Sequence, residues 1–415
     1  MLHRSTRRHA TGLSLAFLAS VLAALTVLVG PSSGASERAL ATVTVNTLPI
    51  ANGFPLDVGI QKGFFEKRGI EIRKVTFQSG NDIILAMANN NGDIGYIGWT
   101  PAFIADTSGI DIVTAAASET EGTNVVDNWQ NVMVRSSSSI RTPQDLAGKT
   151  IAVNALKGVA ELVIRASLQK LGVDPSSVRL TPIPFPAMRT ALANGQVDAA
   201  HMPEPFMSQV LNLDSGRIVL APGPAIMPFL PNGVYVARGS WARENPALAR
   251  QFRLAMNESL LYSQSHTAEV RALLPAAIRD IRLAIWSPVL DRKKLLQLAR
   301  LARQFDIISR LPDMTKLVPG TIASGVILKG DVGSDKISLK LDRQPVKTLT
   351  AGTDTVVVSD RSTKQSFHLK GPGVNKKTGV AKAGRTTWTV RFRAGTYRFF
   401  SDGNSKIKGS FRVES

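Results

Sequence analysis

Polar residues able to grip a small molecule gather at four places in this chain: Asn52, Gly53 and Phe54; Trp99 and Thr100; Asn154, Lys157 and Gly158; and Glu204. Each place follows a short apolar run, and the second and third also open a helical pattern. A loop that leads from a strand into a helix turns the helix's unpaired N–H groups outward, which suits a carboxylate, a sulfonate or another oxyanion. Lys157 would add a full positive charge. Glu204 points the other way, because a buried carboxylate needs a donor and so fits an amino or amidine group. Plainer roles stand beside these: Trp99 as packing, Lys157 as a solvated loop residue, Glu204 as a cap on the helix after Pro205. Phe54 and Trp129 suit closure over a ring or the filling of a core.

Catalysis finds little support. The chain has no cysteine, and outside its first residues its histidines are His201, His266 and His368, far apart in sequence. Walker, dinucleotide-binding and His-Glu-x-x-His patterns are missing from it. Asp198 with Glu204 is the one acid/base pairing to consider, and Asp198 sits where a residue capping a strand belongs.

These residues are spaced by an alternation of short strands and helices, the mark of an α/β protein. Val43 and Val45 lie on a first strand, a short helix runs from about Pro55 to Lys62, and Ile70–Phe77 is the next strand. Asn81 or Asp82 is placed to cap a helix to Asn90. After the strand Ile94–Ile97, Thr100 stands where an N-cap belongs, with Pro101 at the first helical position. The design restarts after Val132–Val134, with strands at Thr150–Asn154, Val178–Pro182 and Val197–His201. Between them Val159, Leu162, Val163 and Ala166 form an apolar helical stripe. Gly233–Arg238 reads as a strand leading back. The expected division is a first lobe of residues 43–133 and 237–325 and a second of 134–236, with hinge strands near Met133–Arg135 and Tyr235–Arg238. Ser240–Leu311 is nearly all helical, whereas residues 326–415 show only short β-runs and read as a small sandwich.

At 415 residues, with 44% hydrophobic and 20% charged, the chain has enough apolar material for several cores. Residues 1–35 have the layout of a signal peptide: Arg4, Arg7 and Arg8, an apolar run from Leu13 to Gly30, then Ser33-Gly34-Ala35. An uncut anchor and a twin-arginine leader are the alternatives. The formal net charge is +19, and the excess is concentrated in residues 326–415. On an exported protein that surface suits an anionic envelope polymer or lipid, or simply keeps it soluble; nucleic acid is not an expected partner.

The ordered blocks Gly53-Phe54-Pro55-Leu56, Lys62-Gly63-Phe64-Phe65, Asn91-Gly92-Asp93-Ile94-Gly95-Tyr96-Ile97-Gly98, Thr142 to Val153, Asn194-Gly195-Gln196-Val197-Asp198 and Glu204-Pro205-Phe206 carry a resemblance. The chain resembles the solute-binding proteins of importers for nitrate, taurine, alkanesulfonates and the pyrimidine precursor of thiamine. That resemblance implies a two-lobed periplasmic-binding-protein type II fold. It implies a receptor that closes on one small molecule by a hinge and presents it to the permease of an ABC importer, with no cofactor. Two departures concern the ligand: Pro203 stands where many relatives have an aromatic, and the clustered cysteines of the pyrimidine-synthesising relatives are missing.

The final residues resemble a cupredoxin-like domain through Phe367-His368-Leu369-Lys370-Gly371-Pro372-Gly373, Gly395-Thr396-Tyr397 and Ser401-Asp402-Gly403-Asn404. Ser401, Asn404 and Ile407 replace the Cys, His and Met that bind copper in such domains, leaving His368 alone. One imidazole without thiolate cannot build a blue-copper site, so the resemblance implies a fold kept and a metal lost.

Overall fold

A computed structural model of the chain describes residues 39–319, 327–341, 344–350, 352–381 and 383–414. The expected leader and the expected boundary at 325/326 lie outside them. Two α/β lobes come first. In the first, β1 (Ala41–Thr47), α1 (Pro55–Gln61), β2 (Ile70–Thr76), α2 (Gly80–Ala88), β3 (Ile94–Gly98), α3 (Trp99–Thr107) and β4 (Ile112–Ala117) follow one another. A short strand β5 (Glu119–Thr120) begins the crossing to the second lobe. There the chain forms β6 (Gln130–Arg135), β7 (Thr150–Val153), α4 (Val159–Lys170), β8 (Arg179–Pro182), α5 (Phe185–Ala193), β9 (Ala199–Pro203), α6 (Phe206–Leu211) and β10 (Gly216–Leu220). It returns through α7 (Pro222–Ile226) and β11 (Gly233–Arg238), and continues with α8 (Gly239–Glu244), α9 (Pro246–Ser265), α10 (Thr267–Leu273), β12 (Ile285–Trp286), α11 (Arg292–Gln304) and α12 (Met314–Leu317).

The sheets are 5-stranded, ordered β2-β1-β3-β11-β4 and β10-β6-β9-β7-β8. β1 lies parallel to β2 and β3, and β7 parallel to β8 and β9, while β11 and β6 enter antiparallel. Strands covered on both faces need near-continuous apolar runs, which β3, β6, β9 and β11 supply. The hinge expectation is corrected here: Met133–Arg135 lies wholly in the second sheet and Tyr235–Arg238 wholly in the first. The links between lobes are Ser118–Trp129 and Ala221–Asn232. A strand run shows that a segment pairs, and which sheet takes it is decided by partners distant in sequence.

Two helix starts also differ from expectation. Gly98, not Thr100, is the N-cap of α3, and Ser79 caps α2 by accepting from the Asp82 amide. Thr142-Pro143 does open a turn with a reciprocal Thr142/Asp145 capping box, but it is a 3₁₀ turn over Pro143–Leu146.

The lobes are closed on each other. Leu162 and Val163 of α4 are fully buried in the core that contains Trp99 and Phe103 of α3 and Leu298 and Ala302 of α11. Gly98 approaches so near that a Cβ there would stand 2.2 Å from a Val159 methyl.

The last segment forms β13 (Ile327–Val332), β14 (Ile337–Leu341), β15 (Gln344–Pro345), β16 (Thr348–Thr350), β17 (Gly352–Asp360), β18 (His368–Gly371), β19 (Val374–Lys377), β20 (Gly384–Phe392), β21 (Gly395–Phe400) and β22 (Lys408–Glu414). Two 5-stranded sheets, β15-β14-β13-β17-β20 and β16-β22-β21-β18-β19, enclose a core that includes Phe367, Tyr397 and Phe411. The helix-free reading of this region thus holds for the described residues.

Shortening a side chain at the closed seam leaves a cavity as well as lost contact. Leu162→Ala should cost about 2–5 kcal/mol in urea unfolding followed by circular dichroism. A loss below ~1 kcal/mol would mean that the seam contributes little to the folded state.

Candidate functional site

The strand ends of both lobes face one another, and a cavity of about 60 Å³ lies between them. The first lobe supplies Leu48 and Ile50 beyond β1, Gly80 and Asn81 at the start of α2, and Gly98 and Pro101 around the start of α3. The second supplies Asn154, Ala155, Gly158, Val159 and Ala160 at the β7–α4 junction, Phe185, and His201 and Pro203 of β9. Trp129 and Asn232 at the ends of the crossings, with Gln130 at the start of β6, complete the wall. None of these residues is acidic, and none is a lysine or an arginine. Positive character comes from three converging helix N-termini instead, and those of α3 and α4 have glycine N-caps with no side chain bonded to them.

Of the residues expected from sequence, Asn154 and Gly158 line the cavity, as does Trp129. Trp99 and Thr100 are fully buried immediately beside it, at the first turn of α3; the indole Nε1 and the Thr100 Oγ1 have no hydrogen-bond partner among the described residues. The Trp99 amide donates to the Asn232 carbonyl at 3.0 Å. Lys157 is in the left-handed region (φ 54°) with its side chain exposed. Its amide donates to Glu161, which is also paired with Arg165 at 2.8 Å.

Four further expected residues, Asn52, Gly53, Phe54 and Glu204, also lie outside the cavity lining. Asn52 is buried one layer away, where its amide donates to the Tyr96 hydroxyl and, at 2.7 Å, to Glu119. Gly53 lets the Tyr96 ring approach, and Phe54 packs against the core behind it. Glu204 takes the plainer role: its carboxylate accepts from the Ser208 amide at 3.1 Å and hydroxyl at 2.8 Å, capping α6, and from the Arg282 amide at 3.1 Å. Burial raises its pKa, and those bonds offset part of the rise.

His201 was not singled out for this site by its sequence. It is 2% exposed, it lines the cavity, and neither ring nitrogen has a partner among the described residues. Burial lowers its pKa to about 4, so the ring is neutral at pH 7. The run Ala199-Ala200-His201-Met202-Pro203 reads as buried strand, and only the third dimension shows which side chain meets the cleft.

Behind the cavity the crossings carry two buried carboxylates. Glu121 accepts from the amides of Gln130 at 2.7 Å, Asn128 at 3.0 Å and Asn232 at 3.1 Å. Glu119 accepts from Asn52 and, at 2.8 Å, from the Tyr96 hydroxyl. Desolvation pushes each pKa from 4.5 up to about 7, and for Glu121 the neighbouring Glu119 charge adds to the rise.

With this geometry in hand, comparison identifies relatives. The model of the NMT1-like family matches residues 36–274. A putative aliphatic sulfonates-binding protein of Bacillus subtilis is 26% identical over 248 residues, 58% of this chain and 71% of its own length. The taurine-binding periplasmic protein of Escherichia coli is 24% identical over 46% of this chain, and the match spans 56% of that relative. Among solved structures, the alkanesulfonate-binding protein of Xanthomonas axonopodis pv. citri bound to MOPS superposes with a TM-score of 0.58 at 22% identity, covering 67% of this chain and 98% of that one.

From about pH 4.5 to 7 the folded chain keeps protons on Glu119 and Glu121 that the unfolded chain has already released. Their contribution is therefore complete below pH 4.5 and is lost as pH rises through 7, on the order of 3 kcal/mol for each. The melting temperature of Glu121→Gln should depend less on pH than the parent's across this window; identical profiles would contradict the assignment. The chain belongs to the NMT1-like family and has the two-lobed α/β fold of type II periplasmic binding proteins.

Proposed function

We propose that this protein is the extracytoplasmic solute-binding receptor of an ABC importer, and that its ligand is a small oxyanion of sulfonate, nitrate or carboxylate type held between the lobes. The observation that carries this reading is the cavity itself: uncharged side chains, three helix N-termini and no carboxylate among the lining residues. Its size supports a small ligand, since about 60 Å³ holds roughly two to four water-sized groups at ~15–30 Å³ each. The sulfonate- and taurine-binding relatives agree in class. An aminated ring has less support, because the Glu204 carboxylate that favoured it is committed to Ser208 and Arg282. Membership in a family of binding proteins supports capture and delivery rather than catalysis: the ligand bridges the lobes, stabilises the closed form, and the closed form docks on the permease.

The terminal sandwich we read as cupredoxin-like with its copper site given up. Both His368 nitrogens are taken, Nδ1 by Asp402 at 2.8 Å and Nε2 by Asn375 at 2.6 Å. Ser401 is buried and donates to Gln365 at 2.7 Å, and Ile407 packs as a buried apolar residue. An anionic envelope polymer or lipid remains the partner that its charge favours. Exposed Lys370 and Arg398 stand directly opposite each other across β18 and β21, a like-charge pair that a bound anion would relieve.

Ligand at ~100 times its dissociation constant should stabilise the protein by about 2.7 kcal/mol in a thermal-shift screen of nitrate, alkanesulfonates and small carboxylates. Asn154→Ala should weaken the best binder by about 1–3 kcal/mol while leaving the melt of the unliganded protein nearly unchanged. A ligand recovered chemically altered would remove the receptor reading. Copper titrated into the protein should leave its melting temperature unchanged, and tight stoichiometric uptake would show that a metal site survives.

A further inference from the structure

His201 limits what the cleft can accept. In the middle of the second sheet, opposite Val132 across β6 and β9, this residue lines the cavity with both nitrogens unpartnered among the described residues. A neutral imidazole is two-sided: one nitrogen carries a proton to donate, the other is a bare acceptor. Leaving either unsatisfied in a buried site costs about 1–3 kcal/mol. The other polar side chains around it do not meet this need. Gln130 and Asn232 give their amides to Glu121, Asn81 donates to the Leu156 carbonyl at 3.1 Å, and the Asn154 side chain, which also lines the cavity, makes no hydrogen bond to either imidazole nitrogen.

An oxyanion that only accepts, such as nitrate or an unsubstituted alkanesulfonate, can take the imidazole N–H and the helix amides but leaves the second nitrogen bare. We propose that the solute is a small oxyanion bearing its own hydrogen-bond donor, a hydroxyl or an ammonium group, and that His201 selects for that donor. This rests on the reading of the cleft as an oxyanion site. The anionic end meets the N-termini of α3 and α4, and the donor meets the bare imidazole nitrogen. A site built around hydrogen bonding to a ligand group discriminates strongly against an isostere lacking it.

Matched isosteres test this on the full chain by calorimetry: bicarbonate against nitrate, glycolate against propionate, hydroxymethanesulfonate against ethanesulfonate. The donor-bearing member of the pair that binds best should be favoured by about tenfold or more. In His201→Ala that preference should collapse to about threefold or less, and His201→Asn, which keeps one donor and one acceptor, should restore part of it. Equal affinity within every pair would overturn the role of His201 and leave the oxyanion cleft standing. Binding by no member of any pair would overturn both. The comparison within the parent protein decides the matter even if a variant at this buried position fails to fold.

Discussion

The carboxylate of Glu121, held by amides from Asn128, Gln130 and Asn232, is the interaction on which the arrangement of the two lobes depends. Asn232 belongs to the return crossing, Asn128 to the outgoing one, and Gln130 opens β6 where that crossing enters the second sheet. A fully buried acid in this position ties together the only two links between the sheets that the described residues contain. Glu119 continues the network into the first lobe through Asn52 and Tyr96, and the Asn52 carbonyl in turn accepts the Trp286 indole N–H at 2.8 Å. No cation neutralises either acid in these bonds. Amide and hydroxyl donors do the work instead, and desolvation keeps each carboxyl's pKa near neutrality. Breaking such a network leaves donors and acceptors stranded in a dry interior, so the crossings behave as a unit.

That unit sets the cleft. With the links fixed, the strand ends of both sheets face inward and the first turns of α2, α3 and α4 converge. A site made of helix N-termini and neutral amides attracts an anion without a permanent charge, which lowers the cost of closing it when empty: no lysine or arginine must be desolvated. Lys157, the cation nearest in sequence, remains in solvent, where it adds weak, salt-screened attraction. The apolar seam of Leu162 and Val163 against α3 and α11 supplies the remaining stabilisation of the closed form.

Much of this was legible in the residues because the information was local. Alternating runs showed the strands, glycines and prolines marked their ends, and the loop from Asn154 to Gly158 was placed at a strand end that does line the cleft. What failed was non-local. Met133 and Tyr235 sit in strands whose sheet depends on distant partners, so a local reading puts both at the hinge. Thr100-Pro101 looks like a cap and first turn, yet the helix starts at Trp99, whose amide donates to the Asn232 carbonyl. Glu204 offered two roles, and packing of Arg282 beside it chose the structural one. His201 lay inside an apolar strand pattern, and only the convergence of two lobes makes that position part of a wall.

The central claim is that the solute lies between the lobes, against the starts of α2, α3 and α4. A crystal structure of the protein grown with excess glycolate tests it most directly. The account predicts a carboxylate within hydrogen-bonding distance of the first-turn amides of α3 or α4, with the hydroxyl at His201. Glycolate bound at another surface, with the cleft filled only by water, would contradict it.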